Sequence, residues 1–203
     1  MSALGLGPRQ ADQVRVNAGL RKAPAAPAIE VYSGVLFAAL AAGTLTSSQR
    51  RRLNAMVAIS SALFGLVRPD DPIPAYRLSA DAALPGIGSL AQAWRSAVSG
   101  ALAASTGLVW DLRSGAYAAL GPAPDQARTV TSRILLERGS KRTVVSHHNK
   151  ATKGHIVRAL AQGSDKPRTA EDLADALDRL GYRCELHRPA SGPCRLDVIV
   201  NQI

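Results

Sequence analysis

The chain has 203 residues, enough for one domain with a sizeable core. With 46% hydrophobic and 20% charged residues it is globular in composition, which excludes a disordered chain. The formal net charge of +10 points to polyanions, namely nucleic acid, nucleotides or an anionic membrane surface, and does not choose among them.

Gly5-Leu6-Gly7-Pro8-Arg9-Gln10-Ala11 fits the Gly-hydrophobic-Gly-x-x-x-Ala pattern of a helix-hairpin-helix turn. There the glycine N–H groups and the following helix N-terminus meet a phosphate, so Gly5, Gly7 and Arg9 are candidate contacts. Only four residues precede Gly5, so residues 1–22 make at most a partial element. The alternative is a Gly-rich entry to an ordinary amphipathic helix. The segment has no long apolar core and is not read as a secretory signal.

Residues 23–27 form a Pro/Ala linker, and a helix is expected over 31–42 with Gly43 as its stop. Ser47 or Ser48 caps a short basic helix through Arg50-Arg51-Arg52, which is either a solvated face or a ligand contact. Residues 55–61 read as a buried strand entering a rigid polar loop. Pro69, Pro72 and Pro74 forbid a continuing helix or central strand there. The loop mounts Arg68, Asp70, Asp71, Tyr76 and Arg77. Polar groups held stiffly beside a core mark a site; the other reading is an internally salt-bridged crossing loop. The i, i+3 spacing predicts that Arg68 pairs with Asp71.

Leu84-Pro85-Gly86-Ile87-Gly88 is a hairpin turn, but Gln92 stands where the phosphate-binding pattern wants Ala, so the match is by chance. A helix follows to Ala103, with Trp94 in the core. Residues 108–112 read as a second buried strand, ending in Arg113-Ser114-Gly115-Ala116-Tyr117, a strand-to-helix turn of the kind that binds ligands in α/β sheets. Residues 128–137 and 142–147 are two strands, and a helix follows the turn at residue 148. Lys150, Gly154 and Arg158 share one row of that helix, and Gly154 leaves the row bare for a close approach. Between residues 133 and 158 lie seven Lys/Arg and one Glu, the densest basic stretch. His147, His148 and His155 fall there without nearby cysteines, so no metal site is expected, and no cofactor.

Thr169 opens a helix with Leu173, Leu177 and Leu180 on one face and Gly181 as its stop. A terminal hairpin over 182–203 adds edge strands. Cys184 and Cys194 flank its turn; they either face each other across it or stay unpaired in a reducing cytosol. No apolar run reaches the ~18 residues of a membrane span, so a cytoplasmic protein without a membrane partner is expected. No Walker, dinucleotide-fold or zinc motif occurs.

Taken in order, Tyr32-Ser33-Gly34, Ser61 with Phe64-Gly65, Arg68-Pro69-Asp70-Asp71, Tyr76-Arg77-Leu78, Trp94, Leu112-Arg113-Ser114 with Tyr117, and Ser146 with Lys150 and Lys153-Gly154 resemble the YaaA family of peroxide-stress proteins, in its shorter actinobacterial branch. The resemblance implies a single mixed α/β domain over 1–203, with a mixed sheet flanked by helices, a helix-hairpin-helix element and a positively charged cleft. It also implies double-stranded DNA binding and a role in limiting iron-linked oxidative DNA damage. The chain departs from the family in lacking the usual opening strand. It also has Ala75, Ser79 and Ala116 where relatives carry Pro and acidic residues. Basic and aromatic residues are kept while carboxylates are lost, which favours anion binding over acid–base catalysis.

Three functions follow. In the first, the protein binds the DNA backbone through Arg68, Arg77, Arg113, Lys150, Lys153 and Arg158, with Tyr76 and Tyr117 orienting them or stacking on an unpaired base. In the second, it is an enzyme acting on a nucleotide or another phosphorylated small molecule, with Asp71, Tyr76 and Lys150 as the reactive groups. In the third, it is a truncated, inactive or purely partner-bound relative.

Overall fold

The computed structural model describes residues 11–123, 126–145 and 149–202. The hairpin carrying Gly5, Gly7 and Arg9 lies outside them, as do Ser146, His147 and His148. In chain order the elements are α1 (Ala11–Ala18), β1 (Ala25–Pro27), α2 (Ala28–Val31), α3 (Val35–Leu40), α4 (Ser47–Met56), β2 (Ile59–Ser61), β3 (Gly65–Val67), β4 (Pro72–Pro74), β5 (Ala83–Leu84), β6 (Gly88–Ser89), α5 (Leu90–Ala103), β7 (Val109–Asp111), α6 (Gly115–Ala119), β8 (Thr129–Arg138), β9 (Lys141–Val144), α7 (Asn149–Gln162), α8 (Ala170–Arg179), β10 (Arg183–His187) and β11 (Cys194–Val200). The α/β class is as expected, with a mixed sheet flanked by helices. The chain gathers into two compact units, each drawn from three separate stretches: Met1–Tyr32, Asn54–Ala101 and Arg113–Pro122 in one, Ser33–Leu53, Leu102–Leu112 and Ala123–Ile203 in the other.

The second unit holds the main sheet. Among the described residues it has five strands, ordered β10-β11-β8-β7, with β9 also on β8. β7, β8 and β11 run parallel, and β9 and β10 are antiparallel to their neighbours. Residues paired across a ladder share a face. Trp110, Val130 and Cys194 are therefore in line, as are Ile134, Val198 and Cys184. This face is apolar and packs on Ile156 and Leu160 of α7 and on Leu173, Ala176 and Leu177 of α8. α8 owes its start to a complete capping box between Thr169 and Asp172 and its end to Gly181 at φ 86°.

The opposite face carries a charged network beside a buried Leu135–Ile199 pair. Asp197, only 2% exposed, lies directly opposite Arg133, whose guanidinium holds both its oxygens at 2.9 and 2.5 Å. Arg195 adds a third hydrogen bond at 3.2 Å. Burial alone would raise the Asp197 carboxyl; Arg133, Arg195 and His187 hold it below the usual carboxylate range. Further along, Glu137 accepts from Arg142 and Arg183, and Arg142 also reaches Glu185.

Several local expectations need correction. The helix over 31–42 is broken after Val31, because Gly34 takes φ 110°, and it ends at Ala41 in the left-handed region, not at Gly43. The cap of α4 is Thr46, not Ser47 or Ser48: its N–H donates to the Gln49 side chain at 3.0 Å and its Oγ1 accepts from the Gln49 N–H at 3.4 Å. The strand placed over 55–61 is only Ile59–Ser61, since α4 runs to Met56. β7 is a half-buried strand, not a buried one. β11 is interior, with partners on both sides; of the terminal hairpin, β10 alone is an edge. Cys184 opposes Val198 and not Cys194, so both thiols are free.

The bare row on α7 is real, and the element that approaches it is α3. Gly154 is buried, and a Cβ there would meet the Leu36 carbonyl oxygen, the Ala39 Cβ at 2.9 Å and the Leu40 N at 3.0 Å. One turn on, the Arg158 guanidinium donates to the Leu40 and Ala41 carbonyls, each at 3.0 Å, closing the C-terminus of α3. Gly154→Ala is expected to destabilise the protein by about 1–3 kcal/mol, the usual cost of overpacking against backbone. A thermal melt checks this; an unchanged Tm contradicts the helix contact.

Candidate functional site

In the first unit the proline loop is half of a small ladder. β1 pairs antiparallel with β4, Ala26 opposite Ile73. The N–H groups of Ala28 and Ile29 continue the pairing onto the carbonyls of Asp71 and Pro69, at 2.8 and 2.9 Å. The loop closes on itself through Asp71, whose carboxylate accepts from the Arg68 N–H at 2.7 Å while the Asp71 N–H donates to the Arg68 carbonyl at 3.2 Å. Arg68 and Asp71 do pair, but through the main chain of Arg68. The Arg68 guanidinium turns instead to the Val57 carbonyl at 3.2 Å. The cause is geometric: a carboxylate at the end of a tight turn reaches the N–H three residues back, and the long arginine overshoots it.

This ladder brings Tyr32, at the end of α2, to Tyr76, which follows β4. Ser61, fully buried on β2, completes a row of three hydroxyls. The Phe64 N–H donates to Ser61 Oγ at 3.0 Å. Ser61 Oγ lies 2.8 Å from Tyr76 OH, and Tyr76 OH lies 3.0 Å from Tyr32 OH. The rings meet edge to face: Tyr32 and Tyr76 have centroids 6.1 Å apart, Phe64 and Tyr76 5.5 Å. Burial pushes the Tyr32 phenol far above its ordinary value. Tyr117 is raised too, first by burial and then by the Tyr76 charge it would face. Three of the chain's four tyrosines thus gather here.

Gly65 makes the turn behind Ser61 possible. It takes φ 74°, and a Cβ there would come within 2.8 Å of the Trp94 ring. Trp94 in turn donates from Nε1 to the Ala62 carbonyl at 2.9 Å. On the outer side of Tyr76, Asn17 of α1 clamps the main chain of Arg77, donating to its carbonyl at 2.7 Å and accepting from its N–H at 2.8 Å. The Arg77 side chain is left exposed. Arg113 is half-buried and donates to the Gly121 and Tyr117 carbonyls at 3.0 and 3.4 Å, at the end of α6.

The second unit carries Lys150, Lys153 and Arg158 on α7. Arg158 serves α3 as described above. Lys150 is exposed. Lys153 is half-buried and donates to the Leu112 carbonyl at 2.9 Å, just past β7. Burial lowers its pKa, Asp111 pulls it back up, and Lys150 lowers it again. Among the described residues no group of three His, Cys, Asp or Glu is placed to hold a metal ion.

Of the expected site residues, Arg68, Asp71, Tyr76, Arg77, Arg113 and Tyr117 fall in the first unit and Lys150, Lys153 and Arg158 in the second. Tyr32, Ser61, Asn17 and Asp111 were not singled out as functional. Tyr32 and Ser61 stood in the motif set; Asn17 and Asp111 gave no signal in spacing, because long-range pairing alone places them.

Tyr76→Phe removes the centre of the hydroxyl row and is expected to cost about 1–3 kcal/mol by leaving buried Ser61 short of a partner. Phenols raised on folding hold their protons more tightly in the native state, so stability is fully present below the ordinary tyrosine pKa of about 10 and is lost as pH rises beyond it toward the raised folded-state pKa. Tyr32→Phe should shrink that alkaline loss, as read from urea midpoints between neutral and alkaline pH; an undiminished loss contradicts the burial of Tyr32.

The model of the family described as peroxide stress protein YaaA matches residues 1–187. A UPF0246 protein of Streptomyces coelicolor is 43% identical over 206 residues, covering 98% of this chain and 78% of the relative. One from Corynebacterium efficiens is 41% identical over 92% of this chain and 76% of its own length. One from Limosilactobacillus fermentum is 32% identical over 87% and 72%. With a match that runs from the first residue through the Tyr32–Tyr76 row and the whole of α7, this chain belongs to the YaaA family of peroxide stress proteins.

Proposed function

We propose that this protein acts in peroxide stress by binding double-stranded DNA through its phosphates, in a way that limits iron-linked oxidative damage to the duplex. The observation that carries the reading is the net charge of +10 combined with the Asn17 clamp, which fixes the main chain of Arg77 and leaves its side chain in solvent. A clamped backbone with an exposed cationic head suits a phosphate, whose oxygens accept from many directions, better than a base edge, which needs a bidentate fit. Arg68 and Lys150 are exposed too, though the Arg68 guanidinium also donates to the Val57 carbonyl. Arg113, Lys153 and Arg158 already donate to main-chain carbonyls and contribute through the field of the protein.

A second reading is favoured by a different observation. The Ser61–Tyr76–Tyr32 row and the half-buried Lys153 are polar groups held at some cost inside their units. Such groups suit a small phosphorylated or otherwise anionic molecule.

Changing Arg77 and Lys150 together to Ala should weaken binding to unrelated duplexes alike and flatten the slope of log K against log salt by roughly 2 units, since each phosphate contact contributes about 0.9. Fluorescence anisotropy over a salt series reads both. An unchanged slope, or a loss confined to one sequence, contradicts phosphate binding by these residues.

A further inference from the structure

The chain has five lysines, and four of them, Lys22, Lys141, Lys150 and Lys166, are exposed. Lys153 is the exception. Its ammonium is half-buried, and its hydrogen bond at 2.9 Å goes to a neutral partner, the main-chain carbonyl of Leu112. An ammonium ion loses hydration on burial, and a peptide carbonyl restores only part of it. The neutral amine loses far less, so this placement favours the nucleophilic form of the side chain. The effect is a lowered pKa with burial as its main cause, reinforced by Lys150 and opposed by Asp111.

The position matters as much as the protonation. Leu112 follows β7 directly, and β7 is parallel to β8, as β8 is to β11. Beyond the carboxyl end of a parallel strand is where open α/β sheets take their ligands. Lys150 stands three residues before Lys153 on α7, hence on the same side of the helix, with its head in solvent. An amine that gives up its proton more readily than an exposed lysine, beside a solvated cation, suits a molecule with two features: an electrophilic carbon for the first and an anionic group for the second.

We propose that Lys153 is an amine nucleophile that condenses with a small anionic aldehyde or keto acid, whose anionic group is held by Lys150. The inference rests on the small-molecule reading and is independent of DNA binding. In the condensation the Nζ lone pair attacks the carbonyl carbon, a C–N bond forms, and the π pair passes to oxygen. The two amine hydrogens leave with that oxygen as water, and C=N replaces C=O. No oxidant or reductant is consumed.

The test is reductive trapping. Folded protein at neutral pH is treated with glyoxylate and cyanoborohydride, which delivers hydride to the imine carbon, and the labelled lysines are mapped by peptide mass spectrometry. The expected result is labelling of Lys153 several-fold faster than of the four exposed lysines. That preference should vanish in urea. Lys150→Ala should slow trapping of glyoxylate by Lys153 by a larger factor than trapping of uncharged acetaldehyde, which loses only the help Lys150 gives in lowering the Lys153 pKa. Lys153→Arg, which keeps the cation and the donor to Leu112, should remove the fast site with the melting temperature preserved. Even labelling of all five lysines, or protection of Lys153, overturns the proposal. Duplex binding measured on the same samples reports separately on the DNA reading, so that either can fail alone.

Discussion

The pairing of residues 25–27 with 72–74 is the constraint on which the first unit depends. A two-stranded ladder of three residues is weak by itself. Here the partner strand is already stiff, because Pro72 and Pro74 leave little backbone freedom to lose on folding. The Asp71 carboxylate closes the turn by taking the Arg68 N–H, and the Asp71 and Pro69 carbonyls receive Ala28 and Ile29. Once the ladder is in place, Tyr32 has no choice but to meet Tyr76, and the buried Ser61 hydroxyl gains its partner. The site is therefore a consequence of main-chain pairing, and its side chains complete what the backbone arranges.

The second unit solves a different problem. Its sheet is apolar on one face, under α7 and α8, and carries a charged network on the other, where Asp197 is sealed beneath Arg133 and Arg195. Many of the basic residues that give the chain its charge are engaged in such work. Arg52 donates to the Leu160 and Asp165 carbonyls, Arg158 to those of Leu40 and Ala41, and Arg142 and Arg183 to Glu137. A dense run of positive charge in a sequence is thus a poor map of positive surface. The stretch from 133 to 158 is rich in Lys and Arg because it builds a sheet and a helix contact, and Lys150 is a residue of that stretch whose head group remains exposed.

Much of this was legible in the sequence where local chemistry decides it. The strand-to-helix turn at Arg113–Tyr117, the two adjacent strands read over 128–137 and 142–147 and found as β8 and β9, and the Thr169 cap with its leucine stripe follow from period, turn residues and capping. The stiffness of the proline loop was legible too. What was not legible depends on contacts between distant residues. Gly154 announced a close approach, but spacing along α7 could not say that α3, more than a hundred residues earlier, would fill it. Arg158 then read as a phosphate ligand when it is first a helix cap. Charge alternation on β8, β10 and β11 is invisible as a network until the register aligns Arg133 with Asp197. In the same way Lys150 and Lys153 carry the same charge in sequence and differ only in which one lies against Leu112.

The central claim is that this YaaA-family chain recognises duplex DNA by its phosphates. The direct measurement is an equilibrium titration of the wild-type protein with two duplexes of unrelated sequence across a salt series at neutral pH. Equal affinities, falling together with a slope of about −0.9 for each phosphate contacted, are the predicted result. Tight binding that is indifferent to salt, a strong preference for one duplex, or no binding to either at low ionic strength would contradict the claim.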